Sequence, residues 1–184
     1  GDVYKRQILK SIEKGIMNGD SNILSRAITL IESQNSADRE LVYQALSKLP
    51  KTSNRAFRVG VTGSPGVGKS TFIEAFGKHL GGLGIKVAVL AIDPSSNITG
   101  GSILGDKTRM EQLSNLPNVF IRPTAASNFQ GGIAKNTRES IFLCEAAGFN
   151  IIFIETVGVG QNEISVFEIV DFFLLLKIAG SGDE

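Results

Sequence analysis

The stretch Gly63-Ser-Pro-Gly-Val-Gly-Lys-Ser70 decides the fold of this 184-residue chain. It matches the pattern G-x-x-x-x-G-K-[ST] at every fixed position. The apolar run Phe57-Arg-Val-Gly-Val-Thr62 precedes it, and residues 71–80 follow with helical spacing. A strand, a tight glycine turn and a helix start together form the context of a phosphate-binding loop, so the sequence predicts one here. The alternative is a glycine-rich turn without a ligand, which this agreement disfavours.

The residue types of this loop suit an anion. Its three glycines allow positive φ angles and close approach, so that successive N–H groups can surround a phosphate. The first helical turn adds unpaired N–H groups and the positive end of its dipole. We predict that Lys69 reaches the β- and γ-phosphates and that Ser70 binds Mg²⁺. The predicted nucleotide-binding residues of the loop are Gly63, Ser64, Pro65, Gly66, Val67, Gly68, Lys69 and Ser70.

Composition bounds the class of protein. Hydrophobic residues make up 42% of the chain and charged residues 20%, which is typical of a soluble globular protein. The net charge of +1 gives no support for nucleic acid or an anionic membrane as a partner. No apolar run is long enough to span a bilayer, and the start of the chain has no signal-peptide pattern. The single cysteine rules out an internal disulfide framework and favours a cytoplasmic location.

Residues 1–55 are predicted to form a helical arm and a linker, ahead of a nucleotide-binding domain at 56–184. Three apolar stripes at helical spacing support the arm. Asp20 or Ser21 is predicted to cap the second helix and Ser36 the third. We interpret the arm as a packing unit. The stripes are Ile8, Ile12 and Ile16; Leu24, Ile28 and Ile31; and Val42, Leu46 and Leu49.

After residue 56, apolar runs alternate with helical segments. The predicted strands are 57–61, 86–92, 119–121, 150–154 and 172–178. The predicted helices between them are 69–80, 107–113, 132–147 and 163–170. Near-continuous Val, Ile and Leu strands are typical of a parallel sheet that is covered on both faces. The sequence therefore predicts a doubly wound α/β domain with ligands at the carboxyl ends of its strands.

Two acids close predicted strands at that end. Asp93 follows the strand at 86–92, and Glu155 follows the strand at 150–154. An acid after an apolar strand is the Walker-B arrangement, which orders Mg²⁺ or its waters. Glu155-Thr-Val-Gly158 also fits [DE]-x-x-G, in which the Gly158 N–H meets the γ-phosphate and lets the loop act as a switch. For both acids the alternative is helix capping or exposure to solvent.

A glycine-rich stretch at 100–109 lies between two strand–helix units. Asp106 is a candidate for the metal site, and Lys107 and Arg109 could meet phosphate or a carboxylate. A surface loop with charges at a helix start explains these residues equally well. His79 is predicted to be solvated or to interact with a helix dipole, and Cys144 to be a small core residue. Neither has neighbours that suit a transition metal.

Four strings carry a resemblance to one family. They are RAITLIES at 26–33, RVGVTGSPGVGKSTFIEAFG at 58–77, AIDPSSNITGGSILGDKTRM at 91–110 and FIETVGVGQNE at 153–163. They resemble the GTPase chaperones of adenosylcobalamin-dependent methylmalonyl-CoA mutase, the MeaB/ArgK type. The resemblance runs from about Arg26 to Glu184.

The resemblance implies GTP and GDP as ligands, Mg²⁺, slow intrinsic hydrolysis, a homodimer in the full-length form, and the mutase as partner. Lys69, Ser70 and Thr71 would hold the phosphates and Mg²⁺, with Lys69, Glu155 and Asp106 as the catalytic residues. The metal ligands implied are Ser70, Asp93, Asp106 and Glu155. The stretches 100–109 and 155–163 would be the switches, in which Arg109 and Gln161 are candidates for completing the site.

The chain departs from the family pattern in two places. Asn162 stands where the family more often has Ser, a change expected to be mild. No [NT]-K-x-D motif for reading guanine occurs in the sequence, and family members continue beyond Glu184. We therefore expect a fragment whose guanine specificity rests on kinship.

Three other functions remain open on the sequence. A nickel-type metallochaperone GTPase has the same loop, but such proteins usually carry Cys/His metal-transfer motifs, and this chain has one cysteine and one histidine. A nucleotide-binding scaffold without turnover and an ATP-using kinase are the others.

Overall fold

The computed structural model describes residues 2–49, 55–93, 110–125, 132–156 and 166–180. Eleven elements lie in these ranges. The helices are α1 (Asp2–Met17), α2 (Ser21–Glu32), α3 (Ser36–Lys48), α4 (Lys69–Gly82), α5 (Glu111–Ser114) and α6 (Gly132–Ala146). The strands are β1 (Phe57–Gly63), β2 (Val87–Asp93), β3 (Val119–Ala125), β4 (Ile151–Thr156) and β5 (Phe172–Leu176).

The five strands form one parallel sheet in the order β3-β2-β4-β1-β5. Alternate residues of its strands enter two separate cores, as expected for a sheet that is buried on both faces. The predicted doubly wound α/β fold is confirmed. In a parallel sheet the carboxyl ends of all strands lie on one side, here called the carboxyl rim, and the amino ends lie on the opposite side, the amino rim. Ligands of doubly wound folds bind at the carboxyl rim.

One face of the sheet carries α4 and α5. Ile73 of α4 and Leu113 of α5 pack there against Val61, Val89 and Phe153. Gly77 lets α5 approach α4, since a Cβ at this position would lie 3.0 Å from the Leu113 side chain. This packing fixes α4, and with it the loop at its start, over the middle of the sheet.

The other face carries α6 and the arm helices in one continuous core. The three apolar stripes predicted for the arm face this core, although Ile8, Leu46 and Leu49 are only partly buried. The boundary between an arm at 1–55 and a domain at 56–184 stays a prediction. The members from the arm are Leu9, Ile12, Ile16, Leu24, Ala27, Ile28, Ile31, Val42 and Ala45; those from α6 and the sheet include Ile141, Leu143, Cys144, Ala88, Leu90, Ile152 and Ile154.

Several predicted boundaries need correction. Asp20 caps α2 as predicted, because its carboxylate accepts from the N–H groups of Asn22 and Ile23. The cap of α3 is Asn35, whose side chain accepts from Ala37 N–H, so the prediction of Ser36 was wrong by one residue. Within its described part, the helix predicted at 107–113 begins only at Glu111. Of the helix predicted at 163–170, residues 166–167 are helical and 168–169 form a turn.

Among the described helices, none combines the length and the apolar character that crossing a membrane would require.

Candidate functional site

The phosphate-binding loop lies between β1 and α4, at the carboxyl end of the sheet. Gly63, Gly66 and Gly68 all have positive φ, at 145°, 79° and 99°. A Cβ on Gly63 would lie 2.4 Å from the carbonyl oxygen of Leu176, so β5 leaves no room for a side chain there. At Gly66 and Gly68 a Cβ would meet nothing within 4 Å. The backbone of the loop is thus accessible to a ligand on that side.

The start of α4 faces the same space. Gly68 is its N-cap residue, and no side chain in the described part of the chain caps this helix start. The first N–H groups of a helix have no partner within the helix. Together with the helix dipole, they give the loop an affinity for anions.

Lys69 is buried although it is charged, with 8% of its surface exposed. Its Nζ donates to the carbonyl oxygens of Gly63 at 2.6 Å and Ser64 at 3.1 Å. These bonds lower the cost of burying the ammonium group. They hold it at the loop, where it can exchange carbonyl oxygens for the oxygens of a phosphate.

Ser70 and Glu155 meet across the site, 85 residues apart in sequence. The Ser70 hydroxyl donates to Glu155 Oε1 at 2.9 Å. The strand register explains the contact, since β4 lies beside β1 with Glu155 paired to Val61. Glu155 is only 9% exposed. A hydroxyl and a carboxylate are hard oxygen donors, the type that Mg²⁺ prefers.

The remaining predicted metal ligands are placed only in part. Asp93 is the last residue of β2, two positions beyond Ala91, which pairs with Glu155. Asp106, Lys107 and Arg109 lie outside the described residues, as do Gly158, Gln161 and Asn162. Across the described ranges, no group of three or more His, Cys, Asp and Glu side chains could hold a metal ion. The roles assigned to the site residues stay predictions.

Two buried threonines at this rim were missed by the sequence analysis. Thr156 Oγ1 donates to the Val61 carbonyl at 3.4 Å, and Thr124 Oγ1 donates to the Ala91 carbonyl at 3.2 Å. Each bond joins the last residues of neighbouring strands, and so fixes the strand ends from which the site is built. Their sequence signal was only that they follow predicted strands, Thr124 three residues after the strand at 119–121 and Thr156 two residues after the strand at 150–154.

The two isolated residues considered in the sequence have no part in this site. His79 is exposed in the last turn of α4, as predicted. Cys144 is fully buried in the core, also as predicted, and this burial raises the pKa of its thiol. A buried thiol of raised pKa is a poor nucleophile and a poor metal ligand.

Comparison with known proteins identifies the family. The model of the family described as "Methylmalonyl Co-A mutase-associated GTPase MeaB" matches residues 24–184. The chain belongs to the MeaB family. The resemblance seen in the four sequence strings is thereby confirmed.

Relatives of this MeaB-family chain come from bacteria and animals. It is 54% identical over 176 residues to a protein of Caulobacter vibrioides, covering 96% of this chain and 54% of the relative. It is 49% identical over 182 residues to the GTPase ArgK of Escherichia coli, covering 99% and 55%. It is 46% identical over 190 residues to the mouse mitochondrial methylmalonic aciduria type A homolog, covering 98% and 46%.

A solved structure shares the fold of this MeaB-family chain. The structure of a LAO/AO transport system kinase matches with a TM-score of 0.74 and 37% identity, over 95% of this chain and 51% of that one. The chain therefore spans about half the length of the relatives that it matches.

Proposed function

We propose that this chain binds GTP at the 63–70 loop and hydrolyses its γ-phosphate in the presence of Mg²⁺. Membership of a GTPase family supports the reaction class. The observation that carries the proposal is the Ser70–Glu155 hydrogen bond beside the buried ammonium group of Lys69. It brings a phosphate-binding cation and a pair of hard oxygen donors to one helix start.

The loop would bind the triphosphate through its backbone and one side chain. The N–H groups of 63–70 and the start of α4 would donate to phosphate oxygens. Lys69 would leave the carbonyl oxygens of Gly63 and Ser64 for the β- and γ-phosphates. Because the ammonium group is already desolvated, the attraction that it exerts on developing negative charge is stronger than in water.

The donor set at the rim fits Mg²⁺. Ser70 and Glu155 would hold the ion, directly or through its waters, with Asp93 and Asp106 as further ligands. When bound, Mg²⁺ supplies charge that neutralises the β- and γ-phosphate oxygens. The ion usually keeps several waters and needs few protein ligands, so the lack of a cluster of three His, Cys, Asp or Glu side chains among the described residues is compatible with it.

Turnover by these residues alone would be slow. Glu155 already accepts the Ser70 hydroxyl, and the candidates for completing the site are Arg109 and Gln161. The Gly158 N–H would contact the γ-phosphate and move when it leaves. A partner that reorders these stretches would accelerate hydrolysis, as occurs in GTPases that receive a catalytic group from another protein.

The partner that the family description indicates is methylmalonyl-CoA mutase. We propose that the protein acts in the cytoplasm as a chaperone for loading or protecting the adenosylcobalamin cofactor of this mutase, as a homodimer in its longer form and without nucleic acid or membrane. A binding titration of this chain with an adenosylcobalamin-dependent mutase, with and without a non-hydrolysable GTP analogue, tests the partnership. Affinity that does not respond to the nucleotide would contradict it.

Steady-state GTP hydrolysis tests the site. Lys69→Ala is expected to lower turnover about 10²- to 10³-fold, the usual cost of removing one preorganised charge-stabilising donor. Glu155→Gln should raise the Mg²⁺ concentration needed for half-maximal rate. His79→Ala, at an exposed position on the same helix, is the control and should leave both unchanged. Normal turnover in Lys69→Ala would exclude this loop as the site.

A further inference from the structure

Three phenylalanines pack together where α4 lies on β4. In α4, the ring centre of Phe76 lies 5.8 Å from that of Phe72, one helical turn earlier. The same ring lies 5.9 Å from the ring of Phe153 in β4 and meets it edge to face, at an interplanar angle of 70°. Phe153 is fully buried, whereas Phe76 is 40% exposed. Edge-to-face contact at this distance is a favoured arrangement of two aromatic rings, so it holds the helix against the strand.

The same two elements carry the two side chains that meet in the candidate metal site. Ser70 is the second residue of α4, and Glu155 follows Phe153 by two positions in β4. Residues two apart on a strand face the same side, so Phe153 and Glu155 both face α4. The packing of Phe153 against Ile73 and the hydrogen bond from Ser70 to Glu155 agree with this. Along both elements, the aromatic contact lies within about 10 Å of the hydrogen bond.

The separation of α4 from β4 is therefore set beside the site by a large side chain. The hydrogen bond spans this separation, since the Ser70 hydroxyl lies 2.9 Å from Glu155 Oε1. A smaller side chain at position 153 would leave a space in a close-packed core, and the surrounding elements would move partly into it. A displacement of about 0.5 Å is enough to take a group of side chains out of its productive geometry. Replacing the ring should thus disturb the hydrogen bond, although the substitution changes neither of its partners.

We propose that Phe153, supported by Phe76, positions α4 on β4 so that Ser70 and Glu155 stay within hydrogen-bonding distance and can bind Mg²⁺ together. Both phenylalanines are positioning residues, since they act through Ser70 and Glu155. The role of Mg²⁺ rests on the proposed function. The positioning of the Ser70–Glu155 pair is a property of the chain without ligand, so the two can fail separately.

The chain contains a matched control on the other face of the sheet. Phe120 of β3 and Phe149 have ring centres 5.9 Å apart and are 6% and 3% exposed. Both belong to the core that contains α6 and the arm helices. Phe120→Leu therefore removes the same atoms as Phe153→Leu from a buried aromatic pair of the same spacing, but on the face away from α4. If Phe153 only filled the core, the two substitutions should have the same consequences.

A double-mutant cycle in urea tests the positioning without nucleotide or metal. Ser70→Ala, Glu155→Ala and the double variant are unfolded in the native, Phe153→Leu and Phe120→Leu backgrounds. The hydrogen bond to a carboxylate should appear as a coupling of about tenfold in the unfolding equilibrium constant of the native background. The coupling should persist with Phe120→Leu and be lost with Phe153→Leu. Coupling that survives in Phe153→Leu, or that is lost in both backgrounds, would overturn the proposal.

Phe76→Leu tests the same positioning from the side of the helix. The ring is partly exposed, so its loss leaves a smaller space, and this variant should fold even if Phe153→Leu does not. It should raise the Mg²⁺ concentration for half-maximal GTP hydrolysis about three- to tenfold, which corresponds to the energy of one aromatic pair. Hydrolysis at saturating Mg²⁺ should return close to the native rate. Phe76→Tyr keeps the ring and can direct its hydroxyl to solvent, so it should show the native Mg²⁺ dependence.

The outcomes separate this inference from the proposed function. If the native chain hydrolyses GTP and Phe76→Leu keeps the native Mg²⁺ dependence, the positioning role is wrong and the reaction stands. If the native chain shows no hydrolysis but the coupling is lost only with Phe153→Leu, the reaction is wrong and the positioning stands. Phe120→Leu should lower the urea midpoint and leave the Mg²⁺ dependence unchanged. An equal shift of the Mg²⁺ dependence in Phe120→Leu and Phe76→Leu would also overturn the inference.

Discussion

The two rims of the sheet differ in how their polar groups are used. At the amino rim, side chains next to the starts of the strands are bound to backbone or to an opposite charge: Arg58, Lys86, Asn118, Asn150 and Asp171. At the carboxyl rim, the glycine loop faces open space and α4 begins without a side-chain cap. At the carboxyl rim, therefore, backbone N–H groups of the loop and of the α4 start are available to a ligand.

Arg58 and Glu145 show most clearly what the amino rim does. Their side chains are 16% and 8% exposed and form an ion pair of 2.9 Å between β1 and α6. The same Glu145 oxygen accepts from Ala56 N–H at 3.2 Å. Because both charges have partners, this ion pair fixes the position of α6 against β1 and does not offer a reactive group. Substitutions at the amino rim should therefore change stability, and those at the carboxyl rim should change activity.

Glu145→Ala should have the largest effect. It leaves the Arg58 guanidinium buried without its carboxylate, which typically costs about 3–5 kcal/mol. Urea unfolding measures the free energy, and Glu145→Gln should lose less because it keeps an acceptor. Turnover per folded molecule should stay unchanged. If stability held while turnover fell, the division between the two rims would be wrong.

Ser70→Ala should come next and act in the opposite way. Removing the hydroxyl is expected to lower kcat/KM for GTP about 10²-fold through loss of a Mg²⁺ ligand. The free energy of unfolding should change by about 1 kcal/mol or less, the usual contribution of one hydrogen bond. Hydrolysis rates over a Mg²⁺ series, beside urea unfolding, separate the two quantities. An unaltered Mg²⁺ dependence would remove Ser70 from the metal site.

Lys86→Met should have a smaller effect, on stability alone. Its Nζ donates to the Ala147 carbonyl after α6 at 2.8 Å and lies 4.9 Å from the centre of the Phe149 ring. Losing a cation at a helix end and a cation–π contact should together cost about 1–2 kcal/mol. A lower melting temperature with unchanged GTP turnover is the expected result; altered turnover would mean that the amino rim influences the site.

Tyr43→Phe should have the smallest effect, of about 1 kcal/mol at neutral pH. Burial, followed by the hydrogen bond to Glu139 and its charge, raises the pKa of Tyr43 from 10.0 to about 12. The folded state therefore favours the neutral phenol, and this contribution is complete below about pH 10 and is lost as the pH rises through 12. Urea unfolding of both proteins should converge over that interval. A constant difference from pH 9 to pH 12 would contradict the pairing.

The sequence predicted the carboxyl rim better than the amino rim. The loop at 63–70 and the apolar strands followed by Asp93 and Glu155 are local patterns of fixed spacing, so the order of residues is enough to recognise them. The hydrogen bond between Ser70 and Glu155 joins residues 85 apart and depends on the strand order, which no local pattern gives.

The arm shows the same limit. Its helices were predicted from their apolar stripes, but not that α2 would hold the edge strand β3. Arg122 of β3 donates to Ser25 at 2.8 Å and forms an ion pair of 3.2 Å with Glu32. Either Asn35 or Ser36 could cap α3 by its side chain, so the sequence did not decide between them. The structure does, because Asn35 has the extended backbone angles of an N-cap residue.

Protection by nucleotide against heat unfolding tests the central assignment most directly. A ligand that binds only the folded state stabilises it by RT ln(1 + L/Kd), where L is the free ligand concentration, and so raises the melting temperature as the ligand concentration increases. With Mg²⁺ present, GTP should raise the melting temperature of the native chain. Lys69→Ala should melt close to the native chain without nucleotide and gain nothing from GTP. Equal protection by GTP of the native chain and of Lys69→Ala would contradict the assignment of the 63–70 loop as the nucleotide site.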